Sequence, residues 1–338
     1  MMLTACKNLK KETNTDDKVL PPAVELAFSA DSAYSFCDQQ CAFGPRTMNS
    51  EAHEACGQWI ADKFRSYGLE VVEQKATLKG YDGTQLHSTN IIASYHPERE
   101  QRVLICAHWD SRPWADNDPD EANWHTPVMA ANDGASGVGV MLEIARMISC
   151  QANDSLCQAD SLTSHLSPFT AIGVDLLCFD AEDWGTPQWA EEPGEGNTWA
   201  LGAQYWAAHL HREGYKARYG ILLDMVGGMG AKFYREGYSR KYAGSIVKKV
   251  WQAAQAAGYG SFFPRQDGGT VTDDHVPVNQ VAGIPCIDII PYYPDCDQSS
   301  FGPTWHTLND DMQHLDKSTL KAVGQTLVQL LYTEAANE

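Results

Sequence analysis

Positive charge is scarce in this chain: 25 Lys and Arg stand against 44 Asp and Glu, a formal net charge of −19. That deficit argues against nucleic acid or an anionic membrane surface as the main partner. A neutral or basic peptide is better tolerated. Long apolar runs are also missing, and nothing approaches the ~18 residues of a membrane-crossing helix. No CxxC pair occurs, which speaks against a cysteine-ligated structural zinc. GxSxG is absent too, and Ser136 in Gly134-Ala135-Ser136-Gly137 follows a loop rather than a strand. A serine hydrolase therefore fits poorly. The glycine clusters at 227–230 and 267–270 have neither the lysine nor the strand–helix spacing of a phosphate loop.

What is present is a chain of 338 residues, 43% hydrophobic with ten Trp, enough to fill a large core. Residues 1–22 read as a flexible tether. Leu3-Thr4-Ala5-Cys6 resembles the end of a bacterial lipoprotein signal; on that reading Cys6 carries a lipid and the protein sits in the bacterial cell envelope, on the periplasmic side. Residues 23–338 read as one domain. Helices are expected at 23–42, 51–68, 134–149, 198–210, 240–257 and 318–336. Strands are expected at 69–78, 89–95, 103–110, 173–181, 219–225 and 283–293. The alternation predicts an α/β fold, a mixed but largely parallel sheet with helices on both faces. Cys106, Cys178 and Cys286 fall inside strand patterns and read as small buried hydrophobes. Cys37/Cys41 and Cys150/Cys157 are close pairs in polar sequence and are disulfide candidates. His209 and His211 are expected on a helix, facing solvent.

The chemistry is concentrated where apolar runs stop. VLICAHWD (103–110), DLLCFDAED (175–183) and ILLDMVG (221–227) each end in acids or histidine. In open α/β sheets ligands bind beyond the carboxyl ends of the strands, so His108, Asp110, Asp133, Glu182, Asp183, Asp224 and His306 are predicted to converge on one mouth. His108 and Asp110, two apart, point to one side of a strand. Asp133, in AANDGASG, reads either as a helix cap or as a metal ligand. Glu182 and Asp183 are harder to explain without a cation, because neighbouring carboxylates cannot both ionise comfortably. Asp273-Asp274-His275 is a second acidic knot. A metal such as zinc is the expected compensation.

In order, H-x-D, N-D-G-A-S-G, D-A-E-D, L-L-D, D-D-H and W-H-T closely resemble the zinc aminopeptidase superfamily, over roughly residues 43–335. Within it the chain looks most like the zinc-dependent glutaminyl cyclases of animals and bacteria. Trp305 before His306, the D-D-H knot and the run from Gly283 to Thr307 carry that likeness. The resemblance implies conversion of N-terminal glutamine on peptides and proteins to pyroglutamate, with ammonia released and one zinc per chain. It implies Asp133, Asp183 and His306 as zinc ligands, Glu182 as the proton shuttle, and Asp224 and Asp273 as relay carboxylates. Trp305 would wall the pocket, with Trp189, ahead of Trp184, as the second aromatic. A monomer is expected. His108 would be a remnant of a two-metal site.

Some positions depart from the animal cyclases. Asp183 stands where they have Glu and Asp288 where they have His, and the stretches 184–199 and 293–304 are longer. The alternative within the superfamily is a two-zinc aminopeptidase, using His108 and Asp224 for the second metal.

Overall fold

The computed structural model describes residues 20–150, 168–192 and 194–338. Most of the expected tether, with Cys6, lies outside them, as does Cys157 of the second cysteine pair. A single six-stranded sheet organises the chain, in the order β1-β2-β4-β3-β5-β6. The strands are β1 (Glu70–Lys79), β2 (Gln85–Tyr95), β3 (Arg102–His108), β4 (Gly173–Phe179), β5 (Tyr219–Leu223) and β6 (Cys286–Ile289). β4, β3, β5 and β6 are parallel neighbours, while β2 runs antiparallel to both β1 and β4. The predicted mixed, largely parallel sheet is the one observed.

Alternation along the strands sorts their side chains into two layers. Val103, Ile105 and Ala107 of β3, with Leu176 and Cys178 of β4, face the larger core. Five helices cover it: α1 (Ala30–Cys41), α2 (Glu51–Ser66), α3 (Ala135–Cys150), α5 (Gly237–Ala256) and α7 (Lys317–Ala336). Leu104, Cys106, Leu177 and Phe179 face the other side, under α4 (Leu201–Ala208) and α6 (His275–Gln280). Because both faces are covered, β3 and β4 are buried at every position, which is why they read as unbroken apolar runs.

Three expectations need correction. The first helix starts at Ala30, not 23, with Ser29 accepting a cap bond from Ser32 N. Residues before it lie extended along α7, where the Gln325 and Gln329 amides bond the backbone of Pro22, Val24, Leu26 and Phe28. Cys37 and Cys41 are free, buried thiols on α1. Helix neighbours four apart hold their Cβ atoms roughly 5–6 Å apart, beyond the about 3.5–4.5 Å a disulfide spans. His211 lies past the end of α4 and is half-buried; its Nδ1 accepts from Trp206 Nε1 at 3.2 Å, and burial pushes its pKa down to about 4.

Away from the site, one buried ion pair ties four segments together. Arg102 Nε and Nη2 donate to both oxygens of Asp175, at 2.7 and 2.6 Å. Ser94 and the Tyr215 hydroxyl complete the carboxylate's bonds at 2.6 and 2.7 Å, and Arg102 also donates to the carbonyls of Tyr95, His96 and Arg99. Asp175→Ala strands a buried guanidinium and is expected to cost about 3–5 kcal/mol. Tyr215→Phe, which removes one bond to a charge, should cost about 1.5–3 kcal/mol. Denaturant unfolding with both variants tests the ranking.

Candidate active site

The carboxyl ends of β3, β4 and β5 deliver the acids and histidine as the sequence pattern anticipates. His108 is the last residue of β3, Glu182 and Asp183 follow β4, and Asp224 follows β5. Asp133 precedes α3, and His306 comes from the loop before α7. All are buried. Five of them, all but Glu182, form two adjoining trios, Asp133–Asp183–His306 and His108–Asp133–Asp224, each with potential donor atoms within 4.8 Å of one another. His306 Nε2 lies 3.2 Å from Asp183 and 3.7 Å from Asp133. His108 Nε2 is 2.9 Å from Asp133 and 3.4 Å from Asp224. Asp133 is thus common to both, its carboxylate turned to the two imidazoles.

The AANDGASG motif builds one side of this arrangement residue by residue. Gly134 has φ +105, and a Cβ there would stand 2.8 Å from the Asp110 carbonyl oxygen. At Gly137 a Cβ would meet the Leu223 carbonyl at 2.5 Å, so glycine lets α3 lie directly on β5. Asn132 Oδ1 accepts from Gly227 N, and Ser136 Oγ accepts from Val226 N. These two bonds fix the turn after Asp224. Left-handed backbone recurs here at non-glycine residues: Ala130, Ala181, Met225 and His306 have φ of 56, 53, 49 and 54°. Each costs of order 1–3 kcal/mol, and each sits within three residues of a ligand or acid.

Two carboxylates hold the ligand loops by their backbones. Asp110 accepts from Glu182 N and Asp183 N at 3.0 and 3.1 Å. Asp310 does the same for Asn132 N and Asp133 N at 2.7 and 3.0 Å. Behind His306, Asp116 lies 3.4 Å from Nδ1 and is gripped by Arg112 through bonds of 2.9 and 2.7 Å. Arg112 also donates to the Asp183 carbonyl at 3.0 Å. Its charge and that of His306 hold Asp116 well below the usual carboxylate range against the opposing effect of burial. Sequence reasoning passed over Arg112, Asp116 and Asp310, which stand in loops without a motif. The first two fall between the predicted strand 103–110 and helix 134–149, a connection whose length alone marks it as a candidate functional loop.

A cleft of about 320 Å³ opens onto the first trio. Glu182, Asp224 and Asp273 line it together with Asp133, Asp183 and His306, and Trp305, Phe301 and Trp199 form its walls. Trp305 stacks on His306 with centroids 3.8 Å apart, and Trp199 lies nearly parallel to the same imidazole at 6.0 Å. Trp189, expected here, is not a wall of the cleft. It packs against Trp114, Trp124 and His125, because the 184–199 loop folds back and brings its last residue, Trp199, to the wall. Burial pushes the Glu182 carboxyl well up, with His108 opposing. Asp224 is raised to about 7 by burial and the Asp133 charge. Asp288, the departure noted above, is buried beneath Asp273 and His275, and burial raises it well above the carboxylate range.

Residues 90–331 match peptidase family M28. The chain belongs to that family. Among solved structures, a glutaminyl cyclase from Bacteroides thetaiotaomicron bound to N-acetylhistamine is 50% identical, with a TM-score of 0.83 over 91% of this chain and 98% of its own. A leucine aminopeptidase precursor from Bacteroides thetaiotaomicron VPI-5482 is 49% identical, with a TM-score of 0.82 over 92% and 99%. The glutaminyl-peptide cyclotransferase of Gloydius blomhoffii is 27% identical over 71% of this chain. The chain spans about half to two-thirds of the length of curated relatives such as this one.

The M28 family implies zinc, and the donors fit it. Two carboxylates and an imidazole make a zinc set with a place left for substrate, and both Asp183 oxygens are buried without a hydrogen-bond partner. Zinc added to chelator-treated protein should raise the unfolding midpoint. Asp183→Ala and His306→Ala should abolish that rise. Asp116→Asn, which loosens the partner of a ligating histidine, should weaken zinc binding about 10–100-fold. Calorimetric titration of the four proteins provides the measurement.

Proposed function

We propose that the chain is a glutaminyl-peptide cyclotransferase, converting the N-terminal glutamine of peptides and proteins to pyroglutamate with release of ammonia. One zinc, held by Asp133, Asp183 and His306, serves this reading. The observation that carries it is the contrast between the two trios. In the first, neither Asp183 oxygen has a hydrogen bond, although His306 Nε2 stands 3.2 Å from one of them. In the second, one Asp224 oxygen is likewise without a hydrogen bond, but His108 Nε2 is bonded to Asp133 at 2.9 Å. A second metal would have to break that bond. Cyclisation needs none, because the substrate's own α-amine is the nucleophile.

Zinc bound by the first trio would polarise the glutamine side-chain carbonyl as a Lewis acid. The chain's residues do the rest. Asp224 and Asp273, beside Glu182 in the cleft, offer carboxylates to the substrate ammonium. That nitrogen gives up one proton to solvent on binding, and Glu182 takes a second from it as it bonds to the side-chain carbonyl carbon. As the carbon–nitrogen bond of the side-chain amide breaks, Glu182 returns the proton to the departing nitrogen, which leaves as ammonia. A carboxyl with raised pKa suits such two-way traffic near neutral pH. Trp305, Phe301 and Trp199 enclose a single side chain and keep water from competing.

A two-zinc aminopeptidase is the second reading. It is favoured by the buried His108–Asp133–Asp224 trio and by the likeness to the leucine aminopeptidase precursor. Incubation with paired Gln- and Leu-initiated peptides, read by mass beside metal content, separates the two. The cyclotransferase releases ammonia from the Gln peptide, leaves the Leu peptide intact and holds one zinc; cleavage of the Leu peptide with two zincs would sink it. Glu182→Gln should lower turnover about 10²–10⁴-fold with zinc content retained. His108→Ala should keep its zinc if the cyclotransferase reading holds, and lose one if the aminopeptidase reading does.

A further inference from the structure

Beside the cleft lies an aromatic shelf that the reaction at the first residue leaves unused. The Arg112 guanidinium sits 4.6 Å from the ring of Trp199, a wall of the cleft, and 5.3 Å from that of Trp114. Trp114 meets Trp189 edge-on at 5.9 Å, and Trp189 lies nearly parallel to Trp124 at 6.1 Å. All four rings are half-buried, so each keeps some surface in solvent. The shelf adjoins the metal ligands directly. Gln188, next to Trp189, donates its N–H to Asp116 Oδ2, and Asp116 Oδ1 faces His306.

Charge on the shelf is one-sided. Its rings come from the loops 111–133 and 184–199, whose only Lys or Arg is the buried Arg112. Asp120, Glu121, Glu191 and Glu192 are exposed on those same loops. Arg112 already lies over Trp114 and Trp199, so Trp124 and Trp189 are the indoles left to attract a cation from a ligand. The carboxylates of the same loops add to that attraction while repelling an acidic side chain. A purely apolar partner would gain from the rings but nothing from the rim.

We propose that this shelf receives the residues following the N-terminal glutamine and selects a cationic side chain there, making peptides with Lys or Arg soon after the glutamine the preferred substrates. The inference rests on the cyclotransferase reading and deepens it. Trp189 and the rim acids act on specificity, through binding of the peptide beyond the bond that forms.

The test compares kcat/KM for otherwise identical peptides beginning Gln-Arg, Gln-Leu and Gln-Glu, at low and high salt. In the unaltered protein Gln-Arg should exceed Gln-Glu by about 3- to 30-fold at low salt, with the difference carried by KM. Trp189→Ala should shrink that ratio. The exposed pair Glu191→Lys/Glu192→Lys, which leaves the core untouched, should lower or invert it. Equal efficiency on the three peptides, a preference for Gln-Leu, or a ratio that survives both variants would overturn the shelf alone. Absence of turnover on every Gln-initiated peptide would overturn the cyclotransferase reading, and the shelf with it.

Discussion

Everything at the carboxyl end of this sheet answers to one cost, the burial of carboxylates out of reach of bulk water. Asp110, Asp133, Glu182, Asp183, Asp224, Asp273, Asp274, Asp288 and Asp310 are all buried. The fold meets this cost in different ways at different residues. Asp110 and Asp310 receive backbone N–H groups, two each. Asp116 receives a guanidinium. Asp274 and Asp288 are pushed up in pKa by burial and by their neighbours' charge, which favours their neutral forms. Asp183 has no hydrogen bond to either oxygen, stands 3.2 and 3.5 Å from His306 and Arg112, and is raised in pKa by burial; a cation bound there would complete its compensation.

The same constraint explains why the turns are strained. A carboxylate can accept two successive N–H groups only where the chain bends sharply, and Ala181 and Ala130 supply that bend with left-handed backbone just before Glu182 and Asp133. His306 is itself left-handed, which turns its imidazole back under Trp305. The strain is held by Asp110, Asp310 and the Arg46 guanidinium, whose Nη atoms bond the Met129 and Ala130 carbonyls at 2.7 Å each. Placement of Asp133, Glu182 and Asp183 is therefore set by groups outside the two trios.

How much of this the sequence disclosed follows from how local each signal is. The doubly covered strands were legible because full burial writes an uninterrupted apolar run, as in β3 and β4. The strand-end acids were legible because such runs break abruptly at them. Asp133 was ambiguous as a single residue, since a helix cap and a ligand have one signature; its orientation toward His108 and His306 is a tertiary fact. Arg112, Asp116, Asp310 and Trp199 left no periodic trace, because loops position them through contacts with residues far along the chain, as between Asp116 and His306 or between Asp310 and the backbone of Asn132 and Asp133. Trp189 was misplaced for the same reason: spacing along an irregular loop does not say which of its aromatics the fold-back brings to the cleft. The early start assigned to α1 overlooked that Gln325 and Gln329 can hold an extended chain by its backbone.

The relation between the two trios turns on which group supplies positive charge beside Asp133. His108 is pushed well up in pKa because the carboxylates of Asp110, Asp133 and Asp224 around it outweigh its burial. The imidazole lies 2.9 and 3.4 Å from Asp133 and Asp224, where the aminopeptidase reading would put a second metal. That arrangement suits a reaction whose nucleophile arrives with the substrate. It would be a handicap for hydrolysis, in which an added cation has the further task of activating water. The two readings thus part at His108, which keeps its contacts with Asp133 and Asp224 in the one and turns to a second metal in the other.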